Sequence, residues 1–266
     1  MDNRPIGIFD SGLGGLTAVN SMKLILPDES FVYAGDTARV PYGGKDIDTL
    51  EMYAKEIVNF LIQKDVKAII VACGTISSNM SYMKELWSSI DLPVIDVFQP
   101  SIEACTLMCD NKSKVGIIAT QATIRSGMYT KCLYEAIPGI KLYYKACPLF
   151  VPIIEEGLAD SGIAKVVTEA YLEDWREKGI DMIILGCTHY PLIKQMVHKV
   201  LPGVTMMDIA QTAVMVTKNL LKAKDMFNDG SGKIHQEFYV SGDTERFSKM
   251  CNKITKLDIP AKKVLW

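Results

Sequence analysis

The sequence predicts an α/β protein with parallel strands, and two observations carry that prediction. Short apolar runs alternate with longer amphipathic ones along the whole chain, and the two halves echo each other. Strands separated by helices of ten or more residues pair in parallel through crossovers, not as hairpins. The echo has two parts in the same order in each half. RPIGIFDSGLGG at 4–15 matches SKVGIIATQATI at 113–124, and QKDVKAIIVACGT at 63–75 matches EKGIDMIILGCTH at 177–189. The pairs suggest two similar α/β lobes with corresponding strand ends.

The elements follow in order. An apolar run at 6–9 enters the turn Asp10-Ser11-Gly12-Leu13-Gly14-Gly15, and a helix follows at 16–26 with Pro27 as its stop. A second strand at 30–34 leads into the long turn DTARVPYG at 36–43, and Asp46 caps a helix at 46–64. A strand at 68–73 ends in Cys73, and a helix is predicted at 78–90. Next come a strand at 94–96, a helix at 100–110, a strand at 115–119, a helix at 125–137 and a strand at 142–145. A helix at 161–178, a strand at 182–186, a helix at 190–200 stopped by Pro202, a strand at 204–206 and a helix at 209–223 continue the alternation. A loop at 228–233, a strand at 237–240 and a helix at 244–254 close it.

Composition narrows the function. The chain has 266 residues, 48% hydrophobic and 23% charged, as in ordinary globular proteins. A net charge of −2 leaves no electrostatic footprint for nucleic acid. No apolar run approaches the ~20 residues of a membrane span, and MDNRPIGIFDSG lacks a signal-peptide core, so the cytoplasm is expected. Seven cysteines at irregular spacings fit that compartment better than a disulfide framework. Cys105 and Cys109 sit four apart, but no His or second Cys pair completes a zinc set.

The strand ends carry the chemistry. In open parallel sheets the ligand lies off the carboxyl ends of the strands, where Asp10, Cys73, Thr120 and Cys187 fall. If the lobes face each other, Cys73 and Cys187 look into one cleft from opposite sides. The glycine turn at 10–15 suits an anion through free N–H groups at a helix start. Its G-x-G-G spacing, with Thr17 where a dinucleotide fingerprint needs the third Gly, argues against a nucleotide, and Asp10 would repel a pyrophosphate. Asp36 occupies the ribose-acid position of that rejected reading. Tyr42 and Gly43 offer a hydroxyl and N–H groups to a ligand. Cys187-Thr188-His189 puts a thiol, a hydroxyl and an imidazole in consecutive positions, a setting in which thiols become reactive.

These motifs together resemble the glutamate racemase family of the aspartate/glutamate racemase superfamily. The resemblance rests on IGIFDSGLGGLT at 6–17, DTARVPYG at 36–43, CGT at 73–75, IATQATIRSGMY at 118–129, CPLFVPIIEEG at 147–157 and GCTHYP at 186–191, in family order over essentially the whole chain. It implies two pseudo-symmetric α/β lobes, each a mostly parallel sheet flanked by helices, with the active site between them. Residues 1–97 and 209–266 would form one lobe and 98–208 the other.

It also implies cofactor-independent racemisation of glutamate by two bases, supplying D-glutamate for peptidoglycan. Cys73 would deprotonate D-glutamate with Asp10 assisting, and Cys187 would deprotonate L-glutamate with His189 assisting. Ser11, Thr75, Thr120, Thr123 and Thr188 would hold carboxylates and developing charge, and Tyr42 and Gly43 the side-chain carboxylate. Glu155 would lie near the ammonium group or the second acid/base pair. No metal set or pyridoxal-phosphate lysine is marked, and a homodimer is expected. An aspartate or broad-specificity racemase is the nearer alternative, and a two-lobed amino-acid-binding protein the more distant one. One position departs from the family: Gly74 stands where the usual residue is Asn. It predicts a gap beside the substrate and a lost hydrogen-bond donor, so that Gly74→Asn would lower the KM for glutamate.

Overall fold

The computed structural model describes residues 1–266, and its ten strands form two wholly parallel sheets. The strands are β1 (Ile6–Asp10), β2 (Phe31–Gly35), β3 (Ala68–Val71), β4 (Val94–Asp96), β5 (Lys114–Ala119), β6 (Lys141–Ala146), β7 (Met182–Leu185), β8 (Thr205–Asp208), β9 (Gln236–Val240) and β10 (Lys262–Lys263). The larger sheet runs β10-β9-β2-β1-β3-β4 and the smaller β6-β5-β7-β8. Stripped of β9 and β10, the two orders are the same. β5 sits between β6 and β7 as β1 sits between β2 and β3. The two echoes in the sequence are therefore β1 with β5 and β3 with β7.

The central strands are buried along their whole length, as parallel strands covered on both faces must be. Alternate side chains go to different cores. Ile8, Ile70, Ile117 and Ile184 join one apolar cluster between the sheets, built around the helices Leu16–Ile25, Gln99–Met108 and Ile209–Ala223. Phe9, Ile69 and Val71 pack on the outer side of the larger sheet, and Ile118, Ile183 and Leu185 on that of the smaller. One continuous core thus fastens the sheets together, with their carboxyl ends at a common cleft.

Several elements differ from the sequence reading, each for a local reason. The helix at 125–137 is two helices, Gln121–Arg125 and Met128–Ala136. Thr120 caps the first through the Thr123 N–H, and Gly127, at φ +66, breaks the chain between them. The helix at 78–90 shrinks to Lys84–Ser88, because Asn79 and Ser78 turn their side chains back to the Thr75 carbonyl. The helix at 161–178 is α-helical only over Gly162–Leu172 and tightens to 3₁₀ before Gly179. The helix Phe150–Glu155 and strand β10 are additional to those expected. No helix is long and apolar enough to cross a membrane.

Candidate active site

A cleft of about 230 Å³ opens where the carboxyl ends of β1, β2, β3, β5 and β7 converge, and both Cys73 and Cys187 line it. Each thiol follows its strand by the same logic. An apolar strand ends, the next residues turn, and the sulfur is left at the start of a short helical segment. Both cysteines are buried.

The surroundings of the two sulfurs differ. Cys73 Sγ lies 3.6 Å from Ser11 Oγ, and burial, reinforced by the Asp10 carboxylate, pushes its pKa up to about 12. Asp10 is fully buried behind it. Its Oδ2 accepts from the Gly12 N–H at 2.9 Å and lies 3.3 Å from the Tyr33 hydroxyl, while Oδ1 has no partner. Burial raises the Asp10 pKa against the opposing charge of His189 and the N–H groups of Gly15 and Gly12. Asp10 therefore holds a proton more readily than an exposed carboxylate.

On the other side, Cys187 Sγ lies 3.8 Å from His189 Nδ1, and His189 Nε2 lies 2.7 Å from Glu155 Oε1. Burial disfavours the imidazolium, but Cys187 and Glu155 together outweigh it and hold the His189 pKa well above its ordinary value. Burial likewise opposes the Glu155 carboxylate, but His189, the Leu13 N–H and Arg246 together outweigh it, so its pKa falls. Sulfur, imidazole and carboxylate form a line leading away from the cleft.

The glycine turn holds an anion, but the anion is the protein's own. The Leu13 N–H donates to Glu155 Oε1 at 3.1 Å. A Cβ at Gly12 would lie 2.6 Å from that oxygen, and one at Gly14 would overlap the His189 ring. These glycines admit the His189–Glu155 pair across the cleft, which the G-x-G-G spacing did not disclose.

Hydroxyls bridge the two sheets on the opposite wall. Thr75 Oγ1 lies 3.1 Å from Thr120 Oγ1, which lies 3.1 Å from Thr123 Oγ1. Thr75, Thr120, Thr188 and Gly43 line the cleft, as does Ser11. Thr123 does not. Its hydroxyl faces the Gly74 carbonyl and Ser78, and its N–H faces Thr120, so it supports the wall from behind. Asp10 and Glu155 are not part of the lining either, and Glu155 stands against His189.

Two expectations are overturned. The Tyr42 ring lines the cleft, but its hydroxyl donates to Asp36 Oδ2 at 2.5 Å and is not turned to a ligand. Gly74 leaves no gap. A Cβ there would lie 2.6 Å from the Gly186 carbonyl oxygen and 3.4 Å from Cys187 Cα, so the two cysteine-bearing turns are already in backbone contact. The sequence reading also passed over Cys147, a buried third thiol on the cleft wall, and Val151 and Gln121 beside it. Cys147 follows β6 as Asp36 follows β2, and that correspondence was the available signal. No Lys or Arg lines the cleft, so a carboxylate in it would be met by hydroxyls and backbone N–H groups. No cluster of three His, Cys, Asp or Glu suited to a metal is present.

Residues 19–217 match the family model described as Asp/Glu/Hydantoin racemase. The chain is 42% identical over 251 residues to a glutamate racemase of Thermus thermophilus, covering 94% of this chain and 92% of that protein. It is 40% identical over 256 residues to glutamate racemase 2 of Caldanaerobacter subterraneus subsp. tengcongensis, covering 96% and 94%. The crystal structure of glutamate racemase from Francisella tularensis, in complex with D-glutamate, superposes with a TM-score of 0.87 at 38% identity, over 99% of this chain and 97% of that one.

Proposed function

The chain belongs to the Asp/Glu/hydantoin racemase family, and from that premise we propose that it interconverts L- and D-glutamate using Cys73 and Cys187 as the two acid/base groups. The observation that carries this reading is the pair of buried thiols after corresponding strands, each facing one cleft and each with a different proton-handling partner behind it. The name of the relatives and the D-glutamate bound to a similar structure support the substrate. On the same reading residues 1–97 with 209–266 are one lobe and 98–208 the other. The protein acts in the cytoplasm as a homodimer, and its product supplies peptidoglycan synthesis.

Racemisation removes a weakly acidic α-proton from one face and returns a proton to the other. A planar carbanionic intermediate between two thiols meets that requirement, because one sulfur takes as the other gives. Cys187 takes the proton of L-glutamate with His189 alongside to accept or return charge. Cys73, a thiol at neutral pH, donates from the opposite face with Asp10 behind it. The D to L direction exchanges the roles. The hydroxyls of Ser11, Thr75, Thr120 and Thr188 and the backbone at Gly43 hold the carboxylates, and donors aimed at the α-carboxylate stabilise the charge that develops there.

Circular dichroism of D-glutamate, L-glutamate and L-aspartate with enzyme and no added cofactor tests the reading. Loss of signal with both glutamates and much less with aspartate is expected, with solvent hydrogen in the product when the run is made in deuterated water. An amino-acid-binding protein would leave every signal unchanged, and an aspartate racemase would reverse the preference.

The His189 line predicts a pH effect. The imidazolium persists at neutral pH and is lost as pH rises through its raised pKa; its contribution to stability is lost over the same interval. Glu155→Gln removes one of the two groups that raise that pKa while keeping an oxygen for the Leu13 N–H. The alkaline limb of the pH–rate profile for L-glutamate is expected to move to lower pH. An unmoved limb would detach Glu155 from the proton path.

A further inference from the structure

We infer that Trp266 is a positioning residue for the substrate-facing turn at 36–44, acting through the buried carboxylate of Asp36. This rests on the racemase reading above and adds to it a part of the molecule far from the cysteines in sequence.

Asp36 follows β2 and is fully buried, yet four donors converge on it. On Oδ2 they are the Tyr42 hydroxyl and Arg39 Nε, each at 2.5 Å. On Oδ1 they are the Ser241 hydroxyl at 2.6 Å and the Trp266 indole N–H at 2.9 Å. The first pair belongs to the turn itself. The second pair comes from the far end of the chain, 205 and 230 residues away.

The geometry explains how the far end reaches this point. β10 pairs with β9, and β9 pairs with β2, so residues after Lys263 emerge beside the carboxyl end of β2. The Val264 N–H donates to the Val240 carbonyl at 3.0 Å, and the Trp266 ring then stands edge-on to Phe60 at 5.2 Å. The indole is held by packing on one side and by Asp36 on the other.

Gly43 packs on Thr120, Val40 packs against the outer core of the smaller sheet, and Asp36 is a polar anchor at the base of the turn. Val40 to Gly44 all line the cleft, with Tyr42 fixed at one end by Asp36 and its ring against Tyr53. Arg39 also bonds Asp36, stacks over Tyr53 and reaches Glu56. A buried carboxylate with fewer donors rotates or draws in water, and either change moves Tyr42 and the Gly43 backbone. The Gly43 backbone lines the cleft where a substrate carboxylate would be held, away from the reacting carbon, so the effect belongs in binding. Proton transfer between the cysteines should proceed as before.

Trp266→Phe keeps the aromatic ring against Phe60 and removes only the N–H. KM for glutamate in both directions is expected to rise roughly tenfold, the scale of one lost hydrogen bond to a charged group, with kcat within about twofold. Hydrogen exchange should accelerate at the amides of 39–44 and remain unchanged elsewhere in the larger sheet. Trp87→Phe is the control: that indole N–H is buried without a partner, and its removal should change neither quantity. If Trp266→Phe lowers only the melting temperature, with KM and turn exchange at wild-type values, the indole is a packing group and the inference fails. If wild type racemises nothing, the racemase reading fails, while exchange in the turn still decides whether Trp266 holds it.

Discussion

Cys73→Ser and Cys187→Ser are each expected to lose racemisation by at least a hundredfold in both directions, with little change in melting temperature. A positioned acid or base contributes about 10²–10⁴-fold, and a serine hydroxyl near neutral pH is a far weaker base than a thiolate. Both cysteines are buried at strand ends on the cleft wall, and oxygen takes less room than sulfur, so folding tolerates the change. The losses should be non-additive, because removing either sulfur already stops the net reaction. Turnover by circular dichroism and melting by calorimetry check both parts. Retention of more than about a tenth of wild-type turnover in either variant would remove that cysteine from the pair of bases.

Replacing Gly74 is expected to harm the enzyme, contrary to what its sequence position suggests. Gly74→Asn should cut kcat by about a hundredfold, and Gly74→Ala, which adds only the Cβ, should fall in the same direction. The residue opens a helical turn with ordinary backbone angles, so conformational strain is not the issue. The obstacle is the Gly186 carbonyl, 2.6 Å from the new carbon and part of a backbone that cannot rotate aside. Relief requires the Cys73 and Cys187 turns to separate. A misplacement near 1 Å at reacting groups costs on the order of 10²-fold. A relative with a side chain at this position must hold the two turns further apart. Steady-state kinetics decide the matter: an Asn variant with lowered KM and intact kcat on glutamate would show that the turns yield and that the missing amide was the important loss.

Much of this architecture was legible in the sequence because it depends on short-range pattern. Alternation of apolar runs located nine strands, and the paired echoes located β1 with β5 and β3 with β7, hence the two thiols at equivalent ends. What could not be read depends on groups remote in sequence. Glu155 meets Leu13 across 142 residues, and that contact is what gives the glycine turn its purpose. Asp36 draws the Tyr42 hydroxyl away from the cleft with partners more than 200 residues distant. The Gly74–Gly186 approach joins two strand ends that are neighbours only once both sheets exist. Spacing identifies which residues stand at strand ends; it does not say which way their hydroxyls turn or how closely two turns approach.

The unequal company of the two sulfurs bears on how the enzyme divides its effort between mirror images. Enantiomers have the same free energy in water, so the equilibrium constant of the reaction is one. The Haldane relation then forces kcat/KM to be identical for the two directions, whatever the protein does. Yet on the two-thiol reading proposed above, one face of the substrate would meet a thiol backed by a buried carboxylate, and the other a thiol backed by an imidazole and a second carboxylate. Nothing in that arrangement equalises the bound states. The freedom left to the structure is therefore in the individual constants: whichever hand of the amino acid is held more tightly must also be turned over more slowly, by the same factor.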